Sequence, residues 1–316
     1  MTARVFIDGE AGTTGLQIRE RLEARDDIEL LSIDPSLRKD LKARAELLNA
    51  ADIAILCLPD AAAKESVSLI KNGTTRVIDA SSAYRIDEDW VYGFAEISAA
   101  QAQNIAQARF VSNPGCYPQG VIATLRPLFE NLLIPADFPI TVNAISGYSG
   151  GGRTMIEAYE AAAGKANAYM PYALGFNHKH LPEMQKYSGL QTAPLFQPAV
   201  GNYAQGMVTA VPLQLSQLSN APSGAELHAA LESHYAGRDG FVEVAPLEAI
   251  EKREEIDPQV FNGTNTMRLH VFANDARQQA VLFAVYDNLG KGASGAAIQN
   301  LNLMLGIDQT KSLQRG

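Results

Sequence analysis

Cys116 carries the most specific chemistry in this chain. It stands in Ser112-Asn113-Pro114-Gly115-Cys116-Tyr117-Pro118, between a strand pattern over Arg109–Val111 and a helical pattern over Pro118–Leu133. A proline suits the first turn of a helix, so the segment predicts a thiol at a helix N-terminus. There the dipole and the exposed N–H groups stabilise a thiolate and lower its pKa, which makes a nucleophile. The competing reading, a buried structural cysteine, suits Cys57 better, because Cys57 lies inside the apolar run Ile53–Leu58. A nucleophilic cysteine usually has a base. His228 and His234 fall on an ordinary helical stretch, and His270 falls in an apolar strand. His178-Lys179-His180-Leu181-Pro182-Glu183 is denser: either imidazole suits acid/base work, and Glu183 can orient one. Histidines at i, i+2 also permit a metal, but no further Cys or His ligands stand nearby, so no metal is expected.

Several loops carry groups that suit anions. Gly9-Glu10-Ala11-Gly12-Thr13-Thr14-Gly15 follows the first strand and opens the first helix. Glycines allow the tight turn, and a helix N-terminus presents N–H groups to a pyrophosphate. Gly9, Gly12, Thr13, Thr14 and Gly15 are therefore cofactor candidates. The spacing is GxxGxxG rather than GxGxxG, and a turn needing glycine for backbone reasons alone would look the same. Asp34 ends the second strand about 20 residues later, where a ribose-binding acid belongs. Ser36, Arg38 and Lys39 follow at once, and two cations there suit a 2′-phosphate, so the expected cofactor is NADP(H). Arg85, in Ser81-Ser82-Ala83-Tyr84-Arg85, suits bidentate phosphate binding. Ser149, Gly150 and Arg153, in Ser146–Arg153, form a Gly-rich cradle at a helix start. Asn288 and Gly290 lie in a third loop of that type and are assigned to the cofactor, while Asn113 in the cysteine turn is a candidate substrate contact.

These groups need a scaffold. Over the first hundred residues strand and helix patterns alternate: Arg4–Asp8, Thr13–Arg25, Ile28–Ile33, Leu41–Ala50, Ala51–Leu58, Ala61–Asn72 and Arg76–Asp79. That rhythm predicts right-handed βαβ units in a doubly wound α/β sheet of Rossmann type. After Pro114 it changes. Ile140–Ile145, Gly206–Leu215, Phe241–Ala245, Arg268–Ala273 and Ala280–Tyr286 predict an α+β domain with an antiparallel-rich sheet carrying the helix Gly224–Ala236. Helices are also expected over Thr154–Ala163 and Ala293–Leu305.

Composition narrows the partners. The net charge of −9 disfavours nucleic acid and anionic membranes, so a small anionic ligand must be met locally. No apolar run approaches the ~20 residues of a membrane span. Asp8 and Glu10 argue against an export signal, and two cysteines make no disulfide framework, so a cytoplasmic protein is expected.

SNPGCYPQG, SGYSGGGR, NHKHLPEM and DNLGKGASGAAIQNLNLM, with GEAGTTG at the front, together resemble the N-acetyl-gamma-glutamyl-phosphate reductase family from Ile7 to Gly306. The family commonly reads NPGCYPT, so Gln119 departs from its pattern. The resemblance implies NADPH-dependent reduction of N-acetyl-L-glutamyl 5-phosphate to the 5-semialdehyde and phosphate, in arginine biosynthesis. It implies an architecture shared with aspartate-semialdehyde and glyceraldehyde-3-phosphate dehydrogenases, and a homodimer or homotetramer. It also implies that the last helix returns to the nucleotide domain, giving 1–114 with 288–316 as that domain and 115–287 as the catalytic and oligomerisation domain. With that chemistry Arg85 is expected on the leaving phosphate, and Ser149, Gly150 and Arg153 on the rest of the acidic acyl-phosphate substrate. Aspartate-semialdehyde dehydrogenase is the nearest alternative. A cysteine hydrolase or acyltransferase, and a nucleotide-sensing protein, are the readings outside the class.

Overall fold

The computed structural model describes residues 2–218, 220–247 and 256–316, and the chain falls into two compact units. One comprises Met1–Ala95, Ala100–Gly115 and Ala293–Leu313; the other comprises Glu96–Ala99, Cys116–Gly292 and Gln314–Gly316. No helix among the described residues is long and apolar enough to cross a membrane.

The first unit is doubly wound. Strands β1 (Ala3–Asp8), β2 (Ile28–Leu31), β3 (Ile53–Leu56), β4 (Arg76–Asp79), β5 (Val91–Tyr92) and β6 (Phe110–Ser112) form one sheet in the order β2-β1-β3-β4-β6-β5. Every pairing is parallel. Side chains alternate across such a sheet, and the core divides accordingly. Val5 and Ile7 of β1 join Ile18 and Leu22 of α1 (Thr13–Glu23) and Ile298 and Leu301 of α9 (Gly295–Met304) on one face. Phe6 points the other way, into a cluster with Leu48 of α2 (Leu41–Ala50) and Ala63 of α3 (Asp60–Leu69). A short helix, α4 (Gln101–Gln107), packs beside α9.

The second unit is built on seven strands. These are β7 (Thr141–Gly147), β8 (Tyr169–Pro171), β9 (Leu195–Gly201), β10 (Met207–Gln214), β11 (Val242–Val244), β12 (Met267–Asn274) and β13 (Gln279–Tyr286), in the order β11-β12-β13-β10-β7-β9-β8. Four of the pairings are antiparallel, while β7–β9 and β11–β12 run parallel. The sheet is thus mixed, with the antiparallel majority expected from its alternating runs. Helix α5 (Cys116–Glu130) packs against α7 (Leu181–Ser188), α8 (Gly224–Tyr235) and the strands β10 and β13. Helix α8 opens with a capping box, in which Ser223 and Glu226 satisfy each other's backbone N–H. Helix α6 (Gly152–Ala161) begins two residues before the predicted start, and Gly152, at positive φ, ends the tight turn that precedes it.

Candidate active site and cofactor cradle

The helix predicted from Pro118 begins at Cys116, so the cysteine is itself the first helical residue. Its surroundings within the second unit are aromatic. Tyr117 is buried, donates its hydroxyl to the Ala199 carbonyl at 3.1 Å, and has its ring 6.1 Å from that of His178 and 6.0 Å from that of His180. Tyr172, in the loop after β8, reaches Nε2 of His178 with its hydroxyl at 3.4 Å. Burial, aided by the negative charge available at Cys116, pushes the Tyr172 phenol up to about 12 despite its bond to Tyr117. Nothing in the sequence marks Tyr172, because a single tyrosine outside any motif gives no signal. Cys57 behaves differently. Burial, with Asp79 and Asp8 close by, pushes its thiol up to about 12, which suits an inert core cysteine.

His178 and His180 lie in the turn that enters α7, with ring centroids 4.6 Å apart. His180 is the N-cap, Pro182 sits in the first turn, and Glu183 is buried one residue further on. The carboxylate thus stands at the positive end of α7, where the dipole favours it.

The loop Ser146–Arg153 and the turn after β13 meet in this unit. Asn288 donates Nδ2 to Ser149 Oγ at 3.0 Å and accepts the Gly206 N–H at 2.8 Å. A Cβ on Gly150 would stand 3.1 Å from Ser146 Oγ and 3.4 Å from Asn288 Nδ2. Gly290 lies where a side chain would collide with the Thr264 carbonyl. Both Asn288 and Gly290, predicted as cofactor contacts, are therefore engaged in the internal packing of the second unit. Arg153 is placed apart from this cluster. It lies exposed on α6 and pairs with Glu157 one turn on, at 2.7 Å.

The glycine loop of the first unit has the shape its spacing predicts. Gly9 takes φ +92°, and a side chain there would strike the Cys57 carbonyl. A Cβ on Gly15 would lie 2.6 Å from the Gly9 carbonyl oxygen. Gly12 caps α1 with no side-chain acceptor, leaving the first-turn N–H groups at Thr13 and Thr14 to face outward along the axis. Beside this loop is a cavity of about 500 Å³ lined by Gly9, Glu10, Ala11, Arg38, Lys39 and Arg44, among others. Arg38 reaches Glu10 at 3.2 Å, and Arg19 reaches the same carboxylate at 2.5 Å. Asp34 is occupied locally: it accepts the backbone N–H and the hydroxyl of Ser36, at 2.8 and 2.6 Å, and those bonds hold its carboxyl below the usual range. The lining pairs Arg44 with Asp8 and Glu65, and Arg38 with Glu10, while Lys39 and the N-terminus of α1 beside Gly9 suit a dinucleotide phosphate.

Arg85 and Asn113 stand at the carboxyl ends of β4 and β6, where ligands meet open parallel sheets. Arg85 is buried and donates Nε to the Asn113 carbonyl at 3.1 Å and Nη2 to the Ala80 carbonyl at 3.0 Å. Asn113 in turn donates to the Ala293 carbonyl and accepts from Asn300, each at 3.0 Å. Its side chain fastens the start of α9 to the end of β6. Among the described residues, no group of three or more His, Cys, Asp or Glu side chains is arranged to hold a metal ion.

Known proteins give the same outline. A model described as "Semialdehyde dehydrogenase, NAD binding domain" matches residues 15–105, and one described as "Semialdehyde dehydrogenase, dimerisation domain" matches residues 116–288. The N-acetyl-gamma-glutamyl-phosphate reductase of Chelativorans sp. (strain BNC1) is 66% identical over 306 residues, covering 96% of this chain and 99% of that protein. Its namesake in Mesorhizobium japonicum is 63% identical, covering 97% and 100%. Among solved structures, aspartate semialdehyde dehydrogenase II from Vibrio cholerae, complexed with ASA, superposes with a TM-score of 0.70 at 17% identity, covering 97% of this chain and 99% of that one. Aspartate semialdehyde dehydrogenase with NADP from Candida albicans gives 0.62 at 14%, covering 96% and 99%. At such identities the structural likeness speaks for the fold.

Proposed function

The chain belongs to the N-acetyl-gamma-glutamyl-phosphate reductase family, and from that premise we propose a route through a thioester on Cys116. The reaction is the NADPH-dependent reduction of N-acetyl-L-glutamyl 5-phosphate to N-acetyl-L-glutamate 5-semialdehyde and phosphate. Cys116 thiolate attacks the acyl carbon, the C–O bond to phosphate breaks, and the acyl group is left on sulfur. Gly9, Gly12, Thr13, Thr14 and Gly15 would hold the dinucleotide's pyrophosphate, and Arg38 and Lys39 its 2′-phosphate. When bound, NADPH supplies the reducing equivalent that takes the acyl group to the aldehyde level. His180 gives a proton to the oxygen of the resulting thiohemiacetal and takes it back as the C–S bond breaks, releasing aldehyde and thiolate. Arg85 is assigned to the leaving phosphate, and Ser149 and Gly150 to the rest of the substrate.

The observation that carries this reading is Cys116 as the first residue of α5, in the same unit as Tyr172 and the His178–His180 pair. We place the enzyme in the cytoplasm as a homodimer or homotetramer, supported by the dimerisation-domain match over 116–288. We assign nucleotide binding to the first unit, which takes in Ala293–Leu313 but not Asn288 or Gly290, and catalysis to the second. The deciding assay follows NADP reduction with phosphate and each of two semialdehydes. Rapid oxidation of N-acetylglutamate semialdehyde with little of aspartate semialdehyde is expected. The reverse preference would defeat the substrate assignment.

A further inference from the structure

The first residue of a helix ordinarily frays, yet Cys116 is fastened from several sides. Tyr286, the last residue of β13, is fully buried. Its hydroxyl donates to the Cys116 carbonyl at 2.7 Å and accepts the Gly120 N–H at 3.2 Å. One hydroxyl therefore touches both ends of the first i, i+4 pair of α5. Gly120 is what lets the ring approach: a Cβ there would lie 2.8 Å from both Cε1 and the hydroxyl of Tyr286, and 2.6 Å from Thr209 Oγ1. From the turn after β13, Gly292 comes so close that a Cβ on it would stand 3.1 Å from the Cys116 Cβ. Gln119 ties the helix to the same turn, donating Nε2 to the Lys291 carbonyl at 2.8 Å. Lys291 is itself anchored by both carboxylate oxygens of buried Glu96, each at 2.8 Å. The side chain at 119, where the sequence departs from its family's pattern, thus binds helix to turn.

We propose that Tyr286 is a positioning residue for the Cys116 thiol, fixing the Cys116 peptide and with it the side-chain orientation from which sulfur reacts. Side-chain rotamers depend on the backbone that carries them, so a frayed first turn would spread the sulfur over several positions. Burial drives the Tyr286 phenol well above its usual pKa, so the hydroxyl remains a donor throughout the working range. The proposal rests on Cys116 being the nucleophile.

The test is alkylation of Cys116 by iodoacetamide, followed by mass spectrometry across pH. The Cys57 thiol, pushed up to about 12, stays silent near neutrality. Tyr286→Phe keeps the ring and deletes one hydrogen bond, so alkylation near neutral pH should slow about three- to tenfold, with the pH profile displaced upward. Turnover should fall by a similar factor while NADPH affinity, read by fluorescence, is unchanged. Gly120→Ala pushes the ring away and should reproduce the loss. Thr209→Val, which packs on the same glycine without touching the Cys116 carbonyl, should leave alkylation and turnover unchanged. A folded Tyr286→Phe protein that follows the wild-type alkylation profile overturns the proposal, and if that variant does not fold, Gly120→Ala decides by the same criterion. Activity surviving in Cys116→Ser would instead defeat the nucleophile reading, and the alkylation result would still report on Tyr286.

Discussion

Nδ1 of His178 accepts the backbone N–H of His180 at 3.1 Å. A nitrogen that accepts carries no proton, so neutral His178 holds its proton on Nε2, the atom facing the Tyr172 hydroxyl. Protonation at Nδ1 would break the bond that shapes the entry to α7. The two histidines, equivalent in the sequence at i and i+2, are therefore unequal in the fold: His178 shapes the turn, which supports the proposal that His180 is the proton carrier.

His180→Asn should lower kcat by ~10²–10⁴, the usual contribution of a positioned acid/base histidine, with little change in cofactor affinity. His178→Asn should lose much less, because an asparagine Oδ1 can accept the same N–H. Turnover against pH for both variants is the measurement. A larger loss in His178→Asn would exchange the roles, and less than tenfold in both would send the proton elsewhere.

Cys116→Ser should cost at least ~10³-fold in turnover while leaving NADPH binding intact, because a hydroxyl has no thiolate character at neutral pH. Cys57→Ser should stay near wild type, its thiol being held far from ionisation. Steady-state rates and fluorescence titration together separate these outcomes. A Cys116→Ser enzyme with a tenth of wild-type activity would rule out covalent catalysis.

Acid should expose a particular ion pair. Arg25, almost wholly buried, binds Asp27 through Nε and Nη2 at 3.0 and 2.7 Å and Asn302 through Nη1 at 2.6 Å. The Arg25 guanidinium, with Lys311, holds the Asp27 carboxyl well below the usual range. A depressed folded-state pKa stabilises the fold above the unfolded value of ~3.9, and that stabilisation disappears as pH falls through the folded value. Asp27→Asn should cost about 1–3 kcal/mol at pH 7, less than a fully buried pair because Asp27 keeps some solvent. The Tm difference between the two proteins should hold down to about pH 5 and shrink below about pH 4. A difference that persists undiminished into strong acid would contradict this account.

How much of this was legible depends on whether a residue's role is local. The glycine loop, the cysteine turn and the βαβ rhythm are local patterns, and each could be read from its own neighbourhood. Strand β9 was not, because Pro198 interrupts LFQPAVG and its burial does not alternate cleanly. It is nonetheless an interior strand, parallel to β7 on one side and antiparallel to β8 on the other. Tyr172 and Tyr286 were equally invisible. Their roles come from positions far along the chain from Cys116, which only the fold brings near. Asn288 lay in a loop whose glycines suggested a phosphate, while its actual partners, Ser149 and Gly206, come from two other segments.

Cofactor choice should rest on the cations beside the glycine loop. Arg38 and Lys39 line the cavity, and Arg38 is already turned toward the loop by its contact with Glu10. Asp34 spends its carboxylate on the backbone and hydroxyl of Ser36, which caps the turn rather than reaching for a ribose. The proposal that Arg38 and Lys39 read the 2′-phosphate is therefore the one to test first. A charge-assisted hydrogen bond contributes about 1.5–3 kcal/mol, so losing even one weakens binding by roughly tenfold or more. Arg38→Ala combined with Lys39→Ala should raise the NADPH Kd by at least that factor and leave NADH nearly untouched. The gap between the cofactors in wild type should also narrow as salt rises, because the cavity is open enough for counterions to screen it. Fluorescence titration of both cofactors, at low and high salt, measures each effect. Equal weakening of NADH and NADPH in the double variant would show that these cations organise the loop instead of reading the phosphate, and Asp34 would then be the residue to test.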